Sequence, residues 1–393
     1  MNDSQVTPMR KRFVFATAVL IAVAIMITIP FNGFILPSTA VAQQERINSP
    51  SQSTNPLSLN TIFKQVENSV VQITSKTSNA TKLGSGFVYD KQGHIVTNGH
   101  VVGDAKVADV TFVDGNRYTA KVIASDIYSD IAVLQISQNA SQPQRQLFSS
   151  LKPLVLGNSS SLEVGDQVVA IGNPFGLSDT MTTGIVSGIG RSLPAASGGE
   201  FSIPNIIQTD APINPGNSGG PLLDMQGKMI AMNTAMLLSG TDTFSGIGFA
   251  IPSNTITKIV PTLIEKGYYP HPSFGLSVVT LTSDLAEDAG MPANLKGVYV
   301  DTITKDSPAD KAGIHGSTID QYGKKHLGDI IIAADGNNII KSDDLINYIG
   351  QHKSVGDNLT LTVYRNGHVI DLKTTLAARP SLLPFLTTRS APP

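Results

Sequence analysis

The sequence predicts a mostly β protein, with two six-stranded barrels followed by a smaller α+β domain. Between residues 70 and 251, eleven short β-branched or alternating runs are separated by Gly, Asn, Asp and Pro. Many short strands with regular turns are typical of an all-β barrel or sandwich. The 35 glycines and the absence of tryptophan also favour turn-rich β structure over a helical bundle.

The N-terminal segment indicates where in the cell the protein is located. Basic residues at 10–12 precede an apolar run at 13–29, and an A-x-A pattern ends at Ala42. Two interpretations of 1–42 stay open, a signal peptide cut after Ala42 or a retained helix that anchors the chain in a membrane. We favour the anchor, because the segment is long for a signal peptide. Both place the rest of the chain outside the cytoplasm, at a cell surface, in a periplasm-like space or secreted.

Composition shifts divide the remainder of the chain. The polar stretch 43–58 predicts a flexible linker. Strand-rich sequence at 59–268 predicts the main domain, with helices at its two ends. The mixed pattern at 273–377, which includes an Asn-Gly hairpin signal at 366–367, predicts the second domain. The Pro-rich segment 378–393 is expected to be a loose tail.

Charge and cysteine content exclude several functions. The formal net charge is −2, and no stripe of Lys and Arg suggests nucleic-acid binding. The chain has no cysteine, which excludes thiol catalysis, Cys-based zinc sites and disulfides. No cofactor or metal is expected, and the absence of a GxxxxGK[ST] motif argues against ATP-driven unfolding.

Histidine is the first residue that points to chemistry, because acyl transfer by serine needs a base near neutral pH. The main domain contains His94 and His100. His94 lies in a predicted turn. His100 ends the run IVTNGHVV at 95–102, where a strand leads into a tight turn flanked by apolar residues. By itself, each histidine is also compatible with a structural role.

The segment NPGNSGGP at 214–221 is the richest local signal in the chain. Its glycines allow unusual dihedrals and a close approach of the backbone to a substrate. The N–H groups of Gly216 and Ser218, together with Asn217, could then form an oxyanion hole. A plain Gly-rich turn is the competing interpretation.

A carboxylate is needed to orient the histidine. Asp130 lies at the mouth of the apolar strand IAVL at 131–134, where it could be buried against an imidazole N–H. Asp126 is the rival, but it lies in a more polar stretch. The order His100, Asp130, Ser218 is the chain order of the chymotrypsin architecture.

The pattern G-x-S-x-G around Ser218 also matches the nucleophile elbow of α/β-hydrolases. That fold needs strand, turn and helix around the serine, and the order Ser, Asp, His. Here Pro221 and two leucines lead through a turn into another strand, so no helix begins. The pattern therefore disfavours an esterase.

The chain resembles the HtrA/Deg (DegP-like) family of trypsin-type serine proteases over roughly 59–376. The motifs that carry the resemblance are GSGF at 84–87, TNGHV at 97–101, DIAVL at 130–134, GNPFG at 172–176, TTGIVS at 182–187, QTDA at 208–211 and GIGFAIP at 246–252, together with the serine segment. The family usually carries a small non-glycine residue where this chain has Gly99. The resemblance implies a chymotrypsin-like double β-barrel protease followed by a PDZ domain.

The second domain carries its own likeness to PDZ domains. The segment SFGL at 273–276 resembles a carboxylate-binding loop, so Phe274, Gly275 and Leu276 are expected to bind the C-terminus of a peptide. The segments SPADKAGI at 307–314 and LGDII at 327–331 also resemble PDZ sequence. The loop is less glycine-rich and less basic than in many PDZ domains.

Specificity can be predicted in part. Trypsin-like enzymes carry an acid six residues before the nucleophile, whereas this chain has Pro212 there and Ile213 next. The resemblance places Ile247 and Phe249 on the other wall. We therefore expect a small apolar pocket, with cleavage after Val, Ala, Ile or Leu.

The resemblance implies an ATP-independent endoprotease that acts on unfolded or damaged extracytoplasmic proteins, with a homotrimer as its base unit. C-terminal peptides are the expected partners of the PDZ domain, and membrane association is expected through the N-terminus. The competing hypothesis is a gated chaperone-like or peptide-binding protein with little protease activity, because loop order can gate such a site.

Overall fold

The structure is a computed structural model, and it describes residues 56–137, 147–173, 180–194, 202–234 and 246–380. The hydrophobic helix predicted within 1–42 lies outside these residues, as do most of the predicted linker and tail. None of the helices in these ranges has the length and hydrophobicity that a membrane-spanning helix needs.

The first barrel follows a short amphipathic helix, α1 (Leu59–Val66), whose buried residues are Ile62 and Val66. Its strands are β1 (Val70–Lys76), β2 (Thr81–Val88), β3 (His94–Asn98), β4 (Val107–Thr111), β5 (Arg117–Asp126) and β6 (Ile131–Ile136). They close in the order β1-β2-β3-β6-β5-β4, and all neighbours are antiparallel. Alternating apolar residues such as Ile73, Ile95 and Leu134 fill the interior.

The second barrel repeats this plan in the order β10-β11-β12-β9-β8-β7. Its strands are β7 (Gln167–Gly172), β8 (Thr180–Pro194), β9 (Ser202–Thr209), β10 (Pro221–Leu223), β11 (Met229–Thr234) and β12 (Gly248–Pro252). The sequence predicts the other five strands but misses β10. This strand has only three residues, all buried, so it carries no alternation.

Two helices position parts of the barrels. The four-residue helix α2 (Gly99–Val102) continues directly from β3 and carries His100. The longer helix α3 (Ser253–Lys266) is the helix predicted at the end of the main domain, and Gly267, which follows it, has φ of 77°. A glycine in this left-handed conformation is a common end of a helix. The buried face of α3 packs into the apolar cluster that joins the two barrels.

The C-terminal region is an α+β unit with its own core. Its sheet has the order β14-β15-β18-β20-β21, and a short strand β19 pairs with β18. Its elements are β13 (Pro272–Ser273), β14 (Leu276–Thr280), α4 (Ser283–Asp288), β15 (Val298–Ile303), α5 (Pro308–Lys311), β16 (Thr318–Ile319), β17 (Lys325–His326), β18 (Ile330–Ala334), β19 (Asn337–Asn338), α6 (Ser342–His352), β20 (Asn358–Arg365), β21 (His368–Thr375) and β22 (Ala377–Ala378). The predicted hairpin at 366–367 joins β20 and β21, whereas α4 and β18 were not predicted.

Helix α6 packs against the second barrel. Asn347 donates to Gly190 O at 2.8 Å and accepts from Asn205 N at 2.6 Å, so it bonds to both β8 and β9. Lys258 Nζ on α3 donates to the carbonyl oxygens of Gly350 (2.8 Å), Gln351 (3.3 Å) and Lys353 (3.1 Å) at the C-terminal end of α6. A cation at this end of a helix is favourable. These contacts hold α6 beside the barrel.

A buried ion pair is predicted to be important for the stability of the C-terminal region. Arg365 donates to Asp329 through Nε and Nη2, both at 2.6 Å, and the Asp329 side chain is 1% exposed. Substitution Arg365→Ala leaves this carboxylate buried without its cation, so we expect a loss of about 3 kcal/mol. Hydrogen exchange of β18 and β20, measured by mass spectrometry, gives the free energy of opening.

The control is Arg117→Ala, which breaks the ion pair of Arg117 with Asp109 on the first barrel. The Arg117 side chain is 58% exposed, so the expected loss is less than about 1 kcal/mol. Equal, small losses in the two variants would contradict the assigned role of Arg365.

Candidate active site

His100 and Asp130 are joined by two hydrogen bonds. His100 Nδ1 and Asp130 Oδ2 are 2.8 Å apart, and the backbone N–H of His100 donates to Asp130 Oδ1, also at 2.8 Å. The Asp130 side chain is 6% exposed and the His100 side chain 26% exposed. The imidazole is therefore oriented by a buried carboxylate while part of the ring faces solvent.

The backbone at Asp130 is unusual, with φ of 53° in the left-handed region. Aspartate is one of the few non-glycine residues that adopt this conformation with little strain. Its carbonyl oxygen accepts from Gly99 N at 3.0 Å and from Asn98 Nδ2 at 3.2 Å. Three consecutive residues of the β3–α2 junction thus bond to one aspartate.

Gly99, the departure from the family pattern, lies beside this aspartate. A Cβ at Gly99 would lie 3.3 Å from both Asp130 Oδ1 and Ser125 Oγ. The glycine therefore fits a tight space in which a small side chain would need slight shifts.

The segment 214–221 is a tight turn that leads into β10. Gly216 and Gly219 have φ of 98° and 86°, which only glycine adopts readily. A Cβ at Gly219 would lie 2.1 Å from Ser85 O and 2.3 Å from Thr97 Oγ1. Ser218 itself is 4% exposed. The glycines thus allow the serine segment to approach β2 and β3 of the first barrel.

Ser85 on β2 binds the serine segment from the other barrel. Its N–H donates to Ser218 O at 2.7 Å, and its Oγ donates to Gly216 O at 2.6 Å. The same Oγ accepts from Asn173 N at 2.8 Å, and Ser85 O accepts from Thr97 Oγ1 at 2.6 Å. Two carbonyl oxygens of the segment are therefore directed toward the first barrel.

Two further contacts link the surroundings of the serine segment to those of the His100–Asp130 pair. Gly84 lies between Val101, the neighbour of His100, and Ser218, because a Cβ there would be 2.7 Å from the Val101 side chain and 3.1 Å from Ser218 O. Thr234 Oγ1 at the end of β11 donates to Asp130 Oδ2 at 3.3 Å. The structure thus gathers all three predicted residues at the junction of the two barrels.

One of the residues predicted for an oxyanion hole is Asn217. Its N–H donates to Asn214 O at 3.0 Å and closes the turn, so this donor is already engaged within the segment. The Asn217 side chain is buried against Gly172, where a Cβ would lie 2.4 Å from Asn217 Oδ1.

The predicted apolar pocket is only partly assembled. Ile213 packs beside β12, since a Cβ at Gly248 would lie 2.7 Å from Ile213 Cγ1. Phe249 belongs to a different apolar cluster, shared by the two barrels. Neighbouring residues of a strand face opposite sides of the sheet, so the Phe249 side chain is directed away from the side on which Gly248 meets Ile213. Ile247 is 48% exposed.

The predicted peptide loop lines a cavity in the C-terminal region. Phe274, Gly275 and Leu276 contribute to a cavity of about 130 Å³, together with residues of α6. Gly275 has φ of 79°, which turns the loop sharply into β14. The three residues are thus brought together at one end of the groove between β14 and α6.

Sequence reasoning missed Ser85 and Thr234. Both are polar residues within otherwise buried strands, and both are themselves buried. An unexplained buried hydroxyl is a signal, because such groups need hydrogen-bond partners. However, the partners come from distant segments, so the sequence alone does not identify them.

Two family models match the chain. The trypsin-like peptidase domain matches residues 84–232, and the PDZ domain matches residues 272–376.

Curated relatives align with about three quarters of the chain. Protease Do-like 1, chloroplastic, from Arabidopsis thaliana is 42% identical over 76% of this chain and 64% of its own length. A probable periplasmic serine endoprotease DegP-like from Brucella suis biovar 1 (strain 1330) is 38% identical over 76% and 53%. Serine protease Do-like HtrA from Bacillus subtilis (strain 168) is 39% identical over 72% and 61%. The chain therefore spans between about half and two thirds of the length of these relatives.

Solved structures extend the similarity to the architecture. The HtrA-type protease AlgW with tripeptide is 31% identical, covers 82% of this chain and 97% of its own, and superposes with a TM-score of 0.66. The serine endoprotease from Yersinia pestis is 29% identical, covers 83% and 100%, and has a TM-score of 0.57. With its two closed barrels and C-terminal α+β region, the chain belongs to the HtrA (DegP-like) family of trypsin-type serine proteases with a PDZ domain.

Proposed function

We propose that this chain is an ATP-independent serine endoprotease that cleaves unfolded or damaged proteins, with His100, Asp130 and Ser218 as its catalytic triad. The observation that carries the proposal is the hydrogen bond of 2.8 Å between His100 Nδ1 and Asp130 Oδ2 beside the serine segment. It engages one ring nitrogen of His100 with a carboxylate, which leaves Nε2 to act as the base.

The reaction follows from these roles. Ser218 Oγ attacks the carbonyl carbon of the scissile peptide, and His100 Nε2 takes the hydroxyl proton. The same proton passes to the leaving amine, which gives an acyl-enzyme and the first product. A water molecule then repeats the sequence on the ester. Asp130 holds the imidazole and stabilises the imidazolium that forms.

The oxyanion of each tetrahedral intermediate is stabilised by the N–H groups of Gly216 and Ser218. Each such donor contributes about 10²–10³ in rate. Ser85 holds the segment on both sides of this site, because its N–H and Oγ bond to the carbonyl oxygens of Ser218 and Gly216. A trans peptide is planar, so these two bonds also fix the N–H groups of Gly219 and Asn217, which flank Ser218.

Substrate preference is proposed from the residues beside β12. Pro212 stands where an acid would favour basic residues, and Ile213 next to it packs against Gly248. Ile247, half exposed, can close a shallow apolar pocket on the substrate side. The proposed P1 residues are therefore Val, Ala, Ile and Leu.

The PDZ region is proposed to bind the C-terminal ends of peptides in the groove between β14 and α6. The likeness to relatives named periplasmic and chloroplastic supports a location outside the cytoplasm. A homotrimer is the proposed base unit, and the N-terminal segment is proposed to associate with a membrane.

Removing the proposed nucleophile or base should abolish proteolysis. For Ser218→Ala and His100→Ala we expect a decrease in kcat of about 10⁶, because triad members act as a unit. The measurement is casein degradation without ATP. Ser161→Ala is the matched control, since Ser161 is exposed in the turn that precedes β7, and it should keep wild-type activity.

Equal cleavage by Ser218→Ala and wild type would mean that Ser218 is not the nucleophile. If wild type also fails to cleave casein, the competing chaperone-like function is tested by suppression of the aggregation of a heat-unfolded protein.

The substitution Thr234→Val tests whether the hydrogen bond from Thr234 to Asp130 helps to hold the carboxylate in place. The substitution keeps the shape and removes the hydrogen bond to Asp130 Oδ2, so we expect kcat to decrease about tenfold with little change in KM. Steady-state kinetics on a peptide substrate measures the two parameters. Thr257→Val on α3 is the control, since its hydroxyl bonds to Ser253 O instead. An unchanged kcat in Thr234→Val would contradict the role of this contact.

A map of cleavage sites in casein, obtained by mass spectrometry, tests the pocket. We expect Val, Ala, Ile and Leu to dominate at P1, because a small apolar pocket offers no partner for a cation. Pro212→Asp, which places an acid six residues before Ser218, should shift cleavage toward Lys and Arg. A wild-type map dominated by basic P1 residues would overturn the proposed specificity.

A further inference from the structure

The groove between β14 and α6 has one apolar side and one polar end. One side of the groove is lined by α6, through Leu345, Ile346 and Ile349, and the other by Val278 of β14. Strand β14 is an edge strand of the sheet. An edge strand offers backbone groups to an added strand, while the helix offers apolar contacts to its side chains. This side of the groove fits an extended peptide with an apolar last residue.

The loop at the end of the groove presents N–H groups. The carbonyl oxygen of Phe274 accepts from Ala309 N at 2.8 Å, and that of Gly275 accepts from Thr304 N at 2.9 Å. Both carbonyl groups thus point into the domain. In a trans peptide the N–H points the opposite way, so the N–H groups of Gly275 and Leu276 are directed away from the core, where a carboxylate could bind.

A cation from outside the PDZ sheet lies at the same end. Arg379 follows β22, which pairs with β13 immediately before the loop, and Arg379 N donates to His271 O at 2.8 Å. Its guanidinium carbon lies 4.9 Å from the centre of the Tyr128 ring. Arg379, His271 and Tyr128 all line the cavity with Phe274 and Gly275. The polar end of the groove is therefore shared by two domains.

The chemistry of Arg379 favours an anionic ligand. Burial lowers the pKa of Arg379, although nearby Tyr128 and Asp126 raise it. The Asp126 carboxylate is engaged by His271 Nε2 at 2.7 Å and by Ser129 Oγ. A partly dehydrated guanidinium gains from a charge-assisted hydrogen bond to a carboxylate.

Tyr128 connects this end of the groove to the active site. Burial raises the pKa of Tyr128, which keeps the phenol neutral, and its hydroxyl donates to Pro380 O at 2.9 Å. Tyr128 lies two residues before Asp130, in the turn between β5 and β6. A ligand at Arg379 is thus one stacked side chain away from the turn that holds the carboxylate of the triad.

We propose that Arg379, stacked on Tyr128 of the protease barrel, binds the C-terminal carboxylate of a peptide in the PDZ groove, so that the carboxylate site is built by both domains. The ligand class is a peptide with a free C-terminus and an apolar last residue. The proposal rests on the peptide-binding role proposed above, and it adds the residues that recognise the charge.

The test compares peptides with and without the charge. Fluorescein-labelled octapeptides ending in Val, Leu, Phe or Ala are made as free acids and as amides. Their dissociation constants are measured by fluorescence anisotropy on the full chain carrying Ser218→Ala, which prevents cleavage. We expect the chain with Arg379 unchanged to bind at least one free-acid peptide about 10- to 100-fold more tightly than the corresponding amide. Arg379→Gln should bring this ratio close to one.

Two variants control the result. Lys373→Gln removes an exposed cation from β21, at the opposite edge of the sheet, and should keep the wild-type ratio. Tyr128→Leu removes the aromatic platform and should lower the ratio several-fold while amide binding is unchanged. A purely structural role of Tyr128 would weaken acid and amide equally and would contradict its part in the proposal.

A measurement that leaves Arg379 in place covers the case in which Arg379→Gln does not fold. An octapeptide with a diazirine on its last residue is photolysed with the Ser218→Ala chain, and adducts are mapped by mass spectrometry. Adducts at 378–380 or at Tyr128 support the proposal, and adducts confined to other residues overturn it. An unchanged ratio in Arg379→Gln, or no binding by any acid, also overturns it. Casein degradation by the chain with Ser218 intact is measured separately. Failure of the proposed peptide site can therefore be distinguished from failure of the proposed protease activity.

Discussion

The buried carboxylate of Asp130 is the constraint on which the rest of the site depends. It accepts hydrogen bonds from His100 N and Nδ1, both at 2.8 Å, and from Thr234 Oγ1 at 3.3 Å. These groups come from α2 of the first barrel and β11 of the second. Removing a carboxylate from water is costly unless strong hydrogen bonds replace the lost hydration. The need to satisfy one charge therefore fixes the relative positions of three distant segments.

Ser85 has a complementary role at the junction of the barrels. Each barrel is closed and could bury its own core, yet the serine segment of the second barrel has two carbonyl oxygens bonded to Ser85 on the first. The glycines around Ser218 permit this close approach. The turn before Asp130 also contacts Arg379, which follows the PDZ sheet, through the Tyr128 ring. The segment that carries Asp130 is thus in contact both with the active-site histidine and with the end of the peptide groove.

Much of the fold could be predicted from local pattern, because half-buried strands alternate and turns need Gly, Asn or Asp. This logic located eleven of the barrel strands and the hairpin that follows Arg365. It missed β10 (Pro221–Leu223), since three buried residues carry no period, and β18 (Ile330–Ala334), an apolar run between two turns. Prediction of the pocket from motif position placed Ile247 and Phe249 on the wall opposite Ile213, and in the structure Phe249 and Ile213 belong to different apolar clusters.

By itself, the sequence determined which residues could do chemistry. A histidine after a strand, an aspartate before one and a serine among glycines are local features, and their chain order selects the double-barrel architecture. Only the tertiary structure decided how these residues are held. Ser85 and Thr234 are ordinary polar residues in sequence, and the Asn217 N–H is used within its own turn. The reason is physical: a hydrogen bond between segments far apart in the chain depends on closing the barrels, which no local pattern records.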